Sequence, residues 1–322
     1  MKNEIAQNLI AFSLLNGVGS AFIKKKYAYI KDKILLPKEL CSLIDKLDFS
    51  DFEQNQKIAQ NIIQDCNISE IEVVTIFDND YPKSLFEIKD PPPVLYLKGN
   101  KTLLDKSIAI IGTRKSTQLG NKIANKVGSY FCKSWSICNG LVDGIDKHSI
   151  LTDNTVFPNV IGVLSGGLNY EYTCPKLTKE LAKKVLENNG LLISEFEPNK
   201  KEDQFSGSKA SRIQAGLSNA LILVQSSKTG GSKYTIKAFS VLERPIGIID
   251  FKNNSEYIQS ETFEANRLII EKGKKGIMEM CDIKKIEDIL IKKIISIEKN
   301  DDYQLIEKEI TAGKNVYKTL GF

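Results

Sequence analysis

The chain has 322 residues, 42% hydrophobic and 26% charged, the composition of a soluble globular protein that buries a real core. A formal net charge of +5 is too mild to hold a polyanion by the overall field, so such binding would need a local patch. A single histidine, His148, excludes multi-histidine zinc sites and leaves a Ser-His-Asp triad one unpromising candidate among polar neighbours.

The amino-terminal run MKNEIAQNLIAFSLL reads as an amphipathic helix rather than a signal peptide. No stretch approaches the ~18 unbroken apolar residues of a membrane helix. The six cysteines form no C-x-x-C pair, so reduced thiols in a cytoplasm are expected. Residues 1–68 alternate helical stretches and predict a small helical domain of the SAM or helix-hairpin-helix kind. Its turn Asn16-Gly17-Val18-Gly19-Ser20, followed by Lys24, Lys25 and Lys26, is either an ordinary helix–helix turn or a phosphate-binding one.

Pro91-Pro92-Pro93 cannot be helical and marks the entry to the main domain, predicted over 69–290. There, apolar runs alternate with amphipathic helical stretches: SIAIIG, WSICNG, VIGVLSGG, GLLISEF, NALILVQ and PIGIIDF. Short Ile/Val/Leu strands alternating with helices predict an α/β fold, a doubly wound, mostly parallel and Rossmann-like sheet. Residues 291–322 mix charges without a strand pattern and predict a short helical or flexible tail.

Ligands of such sheets bind at the carboxyl ends of the strands. The first strand ends in Gly112-Thr113-Arg114-Lys115-Ser116, which offers close backbone approach, hydroxyls and a forked cation. Gly166 and Gly167 form a second turn. Lys209 and Arg212 follow the fourth strand, and Gly231, Ser232, Lys233 and Thr235 follow the fifth. Neither G-x-G-x-x-G nor G-x-x-x-x-G-K-[ST] is present, so no dinucleotide cofactor or Walker-type NTPase is expected. The convergence of Arg114, Lys209, Arg212 and Lys233 with glycines and hydroxyls points to a phosphate-bearing ligand, with no metal and no catalytic residue assigned.

With these turns laid out, the chain resembles the DprA/Smf family. The segments that carry the resemblance are DNDYPKSLFEIKDPPPVLYLKGN, IAIIGTRKSTQLG, NGLVDGID, GLLISEFEP, SRIQAGLSNALILVQSS, GGSKYTIKAF and FEANRLIIEKGKKGIMEMCDIKKIEDIL. The resemblance implies single-stranded DNA held in a basic pocket without turnover, a homodimer, and handover of the strand to a RecA-type recombinase. Arg114, Ser116, Arg212, Ser232 and Thr235 match family positions. Asp143 replaces the cation of the family's second motif, Ser211 replaces an asparagine, and His148 is displaced from the family histidine position. Two alternatives stay open: a nucleotide sensor or nucleotide hydrolase of the wider superfamily, and a role in defence against foreign DNA. Asp143, Asp146 and Glu195 would serve the hydrolase reading as ribose-holding or acid/base groups, although SGGLNYE stands where those enzymes carry P-G-G-x-G-T.

Overall fold

The computed structural model describes residues 2–45 and 47–319. The amino-terminal part is helical: α1 (Lys2–Ser13), α2 (Ser20–Lys25), α3 (Tyr27–Lys33), α4 (Pro37–Cys41) and α5 (Phe49–Ile68). Asp48 caps α5 by accepting the Ser50 N–H. Leu9, Phe12, Ile23, Ile30, Leu40 and Phe52 are buried, and their cluster is continuous with the core of the sheet. Lys24, one of the three lysines behind the Gly17 turn, donates to the Ile88 carbonyl at 2.7 Å. It tethers the helical part to the segment ahead of the sheet.

Strands β1 (Glu72–Thr75) and β2 (Val94–Gly99) enter the sheet antiparallel. Then come β3 (Ser107–Gly112), α6 (Gln118–Phe131), β4 (Ser136–Asn139), α7 (Ile145–Ile150), and a hairpin of β5 (Leu151–Thr152) and β6 (Thr155–Val156). The alternation continues with β7 (Val160–Val163), α8 (Tyr170–Thr173), α9 (Lys176–Glu187), β8 (Leu191–Ser194), α10 (Ser206–Leu217), β9 (Ala220–Gln225), α11 (Ser232–Phe239) and β10 (Pro245–Ile249). Every residue of β4, β7, β8, β9 and β10 is buried, as strands covered by helices on both faces must be. The α/β, mostly parallel fold expected from the apolar runs is the fold observed.

The nine strands lie in the order β1-β2-β8-β7-β4-β3-β9-β10-β11, with β11 at Lys293–Ile297. From β3 the chain winds outward through β4, β7 and β8, then returns to β9 on the other side of β3. The crevice at the carboxyl ends of β3 and β9 is therefore the topological switch point.

One expectation is corrected. The segment after residue 290 is not a tail: β11 pairs in parallel with β10 from Pro245↔Lys293 to Ile249↔Ile297. Between these elements run α12 (Ser255–Gln259), α13 (Glu264–Lys272) and α14 (Lys274–Met280); after β11, α15 (Tyr303–Thr319) returns onto β10 and β11. Tyr303 packs on Tyr130 and Phe131 of α6, and Glu307 accepts from the Tyr130 hydroxyl and the Trp135 indole. The sequence hid this strand because KIISI sits between lysines and charged turns, as suits an edge strand guarded against further pairing.

Candidate nucleic-acid interface

At the switch point lies an open cleft of about 680 Å³. Its walls are the β3 end (Ile111–Lys115), the 140–146 turn, the start of α10 and the start of α11. Gly144 makes the turn possible: it has φ +79°, and a Cβ there would sit 2.2 Å from the Thr113 carbonyl. The Ile145 N–H in turn bonds that carbonyl, so the two turns brace each other.

Of the twelve residues expected to bind phosphate, Gly112, Thr113, Arg114, Gly231, Ser232 and Thr235 line this cleft. Arg114 is exposed and takes part in no ion pair among the described residues. Ser232 is 6% exposed, and its hydroxyl has no hydrogen-bond partner among the described residues. A buried hydroxyl left unpaired costs about 1–3 kcal/mol, which a bound anion would recover.

The other six lie elsewhere. Arg212 is held bidentately by Glu195 at 2.6 and 2.7 Å and lies 3.0 Å from Asp90, so its fork is occupied inside the fold. Lys209 lies over the Phe196 ring, on the same side of α10 as Arg212. The residues of α10 that face the cleft are Gly207, Ser208, Ala210, Ser211 and Gln214. A helix turns about 100° per residue, which sends positions 209 and 212 to the opposite side. Gly166 and Gly167 are packed beneath the 197–200 backbone, where a Cβ on Gly167 would fall 2.0 Å from the Glu197 carbonyl. Ser116 is hydrogen-bonded to Asn121. Lys233 points toward Asp282 and over the Tyr234 ring.

The cleft also contains residues that the sequence reading passed over. Lys115 adds a second exposed cation beside Arg114. Phe205 and Tyr234 are 64% and 49% exposed, and both line the cleft. Their signal was available: each is an aromatic residue near the start of a helix that follows a strand's carboxyl end, a poor place to bury one. Asp143, the charge reversal, points outward and pairs with Lys147 at 3.6 Å.

Asp146, 5% exposed, lines the cleft and accepts the Gly140 N–H at 2.9 Å. It ties down the 140–142 turn. Burial pushes its carboxyl up to about 7, against the opposing pull of the Gly140 and Val142 N–H groups and the Arg114 charge. The folded value lies above the ordinary 3.8, so the folded state binds this proton more tightly than the unfolded state. Its contribution is therefore complete in acid and is lost as pH rises from about 4 to about 7. Asp146→Asn is expected to remove that part of the pH dependence, leaving a flatter curve in urea unfolding at about pH 5 and pH 8. An unchanged pH dependence in the variant would contradict the assignment. His148, whose imidazole is shifted down by burial, is a second titratable group on α7 and needs its own His148→Gln control.

Comparison with known proteins places this geometry. The model of the family described as DNA recombination-mediator protein A matches residues 72–288. The chain belongs to that family. Among curated relatives, DNA processing protein DprA of Bacillus subtilis is 36% identical over 177 residues, covering 54% of this chain and 58% of that protein. DprA of Streptococcus pneumoniae is 32% identical over 162 residues, covering 50% of this chain and 56% of that protein. The chain thus spans about half the length of the curated relatives it matches. The X-ray structure of the Streptococcus pneumoniae protein covers 95% of this chain and 97% of its own, with a TM-score of 0.72 at 22% identity. DNA processing protein A of Helicobacter pylori, whose structure is described for its single-stranded DNA binding mode, covers 74% of this chain and 97% of its own, with a TM-score of 0.56 at 22% identity. These likenesses show a shared fold, helical amino-terminal part included for the first.

Proposed function

We propose that this chain binds single-stranded DNA in the switch-point cleft, as a DNA-processing accessory protein that passes the strand to a RecA-type recombinase. The observation that carries the reading is the combination, on one open cleft, of exposed aromatic rings with cations that form no ion pair among the described residues. Phe205 and Tyr234 supply the first, and Arg114 and Lys115 the second. Single strands are held by cations along the phosphates and by rings on which bases stack. The unpartnered Ser232 hydroxyl at the start of α11 adds a donor for a phosphate oxygen. The single-stranded DNA binding described for the Helicobacter pylori relative supports the same assignment.

The homodimer and the recombinase handover rest on family membership. A cytoplasmic setting fits six cysteines that are all free. No helix among the described residues is long and apolar enough to cross a membrane. The candidate turn of the hydrolase alternative puts Ser165 on the cleft wall, but its glycines, Gly166 and Gly167, are buried under the 197–200 backbone and do not line the cleft. Of its three proposed carboxylates, Glu195 holds Arg212 and Asp143 pairs with Lys147, while Asp146 stays in the cleft lining and accepts the Gly140 N–H.

Fluorescence anisotropy with labelled oligothymidine tests the reading. Phe205→Ala and Tyr234→Ala are each expected to weaken binding about 10- to 100-fold, the ~1–3 kcal/mol of one base stack. Both residues are exposed, so the melting temperature should not move. Wild-type affinity in both variants would overturn the stacking role.

A further inference from the structure

A second crevice, larger than the first at about 1120 Å³, lies along α6, the helix that follows the Thr113–Thr117 loop. It runs along the first two turns of α6, between the β5–β6 hairpin and the 298–301 turn after β11. Its floor is apolar: Leu119, Ile123, Ile249, Phe251 and Ile297. Lys122 and Lys126 stand exposed over this floor, one helical turn apart. Neither is in an ion pair among the described residues, in contrast to the many paired lysines elsewhere on the surface.

Arg114 and Lys115 lie in the turn that leads into α6, so along the chain they precede Lys122 and Lys126, and all four are exposed cations that form no ion pair among the described residues. Carboxylates also border the crevice, but two of the three are compensated. Glu298 is held by Lys252 at 2.7 Å, and Asp301 lies 3.9 Å from Lys299, leaving Asp153 alone on the hairpin. The spacing suits a strand: residues four apart on a helix rise about 6 Å, close to the separation of successive phosphates in an extended chain. An apolar floor beneath the cations gives the bases a surface to cover.

We infer that this groove takes the continuation of the same single strand, which leaves the cleft over Arg114 and Lys115 and lies along α6 with its phosphates on Lys122 and Lys126. The inference rests on the cleft reading, and the two are separated by oligonucleotide length. Lys122→Glu/Lys126→Glu is compared with wild type on a short oligothymidine of about 5 nucleotides and a long one of about 25, each at two salt concentrations.

The double variant is expected to bind the short probe within about twofold of wild type and the long probe at least about tenfold more weakly. The long-probe slope of log affinity against log salt is expected to fall by about 1.4, two phosphate contacts at about 0.7 each. Lys122→Gln/Lys126→Gln should give the same loss of slope with a smaller loss of affinity, and melting temperatures check that both variants are folded. Unchanged long-probe affinity and slope overturn the groove path while the cleft reading stands. Equal losses on both probes also overturn it, because they place the lysines' effect in the cleft. If wild type binds neither probe, the cleft reading falls and takes the groove with it.

Discussion

Replacing Arg114 with glutamate is expected to weaken binding of oligothymidine by about 10- to 100-fold at low salt, with no change in melting temperature. A charge-assisted hydrogen bond to phosphate contributes about 1.5–3 kcal/mol, and each 1.4 kcal/mol is tenfold in affinity. Arg114 is exposed at the carboxyl end of β3 and forms no ion pair among the described residues, so its removal leaves no buried partner behind. The slope of log affinity against log salt should fall by about 0.7, the signature of one lost phosphate contact on a single strand. Loss of affinity with an unchanged slope would mean that Arg114 acts on the shape of the turn.

Arg212→Ala is expected to behave in the opposite way, lowering stability by about 3–5 kcal/mol, the cost of breaking one side of a buried ion pair. Arg212 and Glu195 are both close to fully buried, with two hydrogen bonds of 2.6 and 2.7 Å between them. Truncation leaves the Glu195 carboxylate uncompensated under the start of α10. Arg212 also donates to the carbonyls of Asp90 and Lys209, tying α10 to the segment before β2. Urea unfolding should show a lower midpoint with little change in slope. Glu195→Gln/Arg212→Met, which removes both charges, should recover much of the loss. At temperatures where Arg212→Ala remains folded, its affinity for oligothymidine should stay near wild type. A selective loss of DNA binding without destabilisation would return Arg212 to the list of phosphate contacts.

These two arginines show where reading the chain succeeded and where it stopped. The strands were legible because parallel strands buried on both faces must be unbroken apolar runs, and SIAIIG, NALILVQ and PIGIIDF are such runs. Glycines at their ends located the edge where ligands bind. Lys293–Ile297 was not legible, because an edge strand is only half covered and carries lysine. The destination of a cation was harder still. Arg114 and Arg212 look alike in sequence, each near a turn that follows a strand. Glu195 and Asp90, the groups that capture Arg212, are 17 and 122 residues away along the chain. Helical phase on α10 would have separated Lys209 and Arg212 from the serines that face the cleft. It would equally have left Phe205 and Tyr234 as aromatic residues in need of a partner.

The most direct test of the central claim is photocross-linking of a bromouracil-substituted single strand, followed by mapping of the cross-linked tryptic peptides. Cross-links are expected in the peptides spanning residues 202–209 and 234–237, which carry Phe205 and Tyr234, and they should fade as salt is raised. Cross-links confined to peptides outside the switch-point cleft and the α6 groove, or none at low salt, would contradict the account.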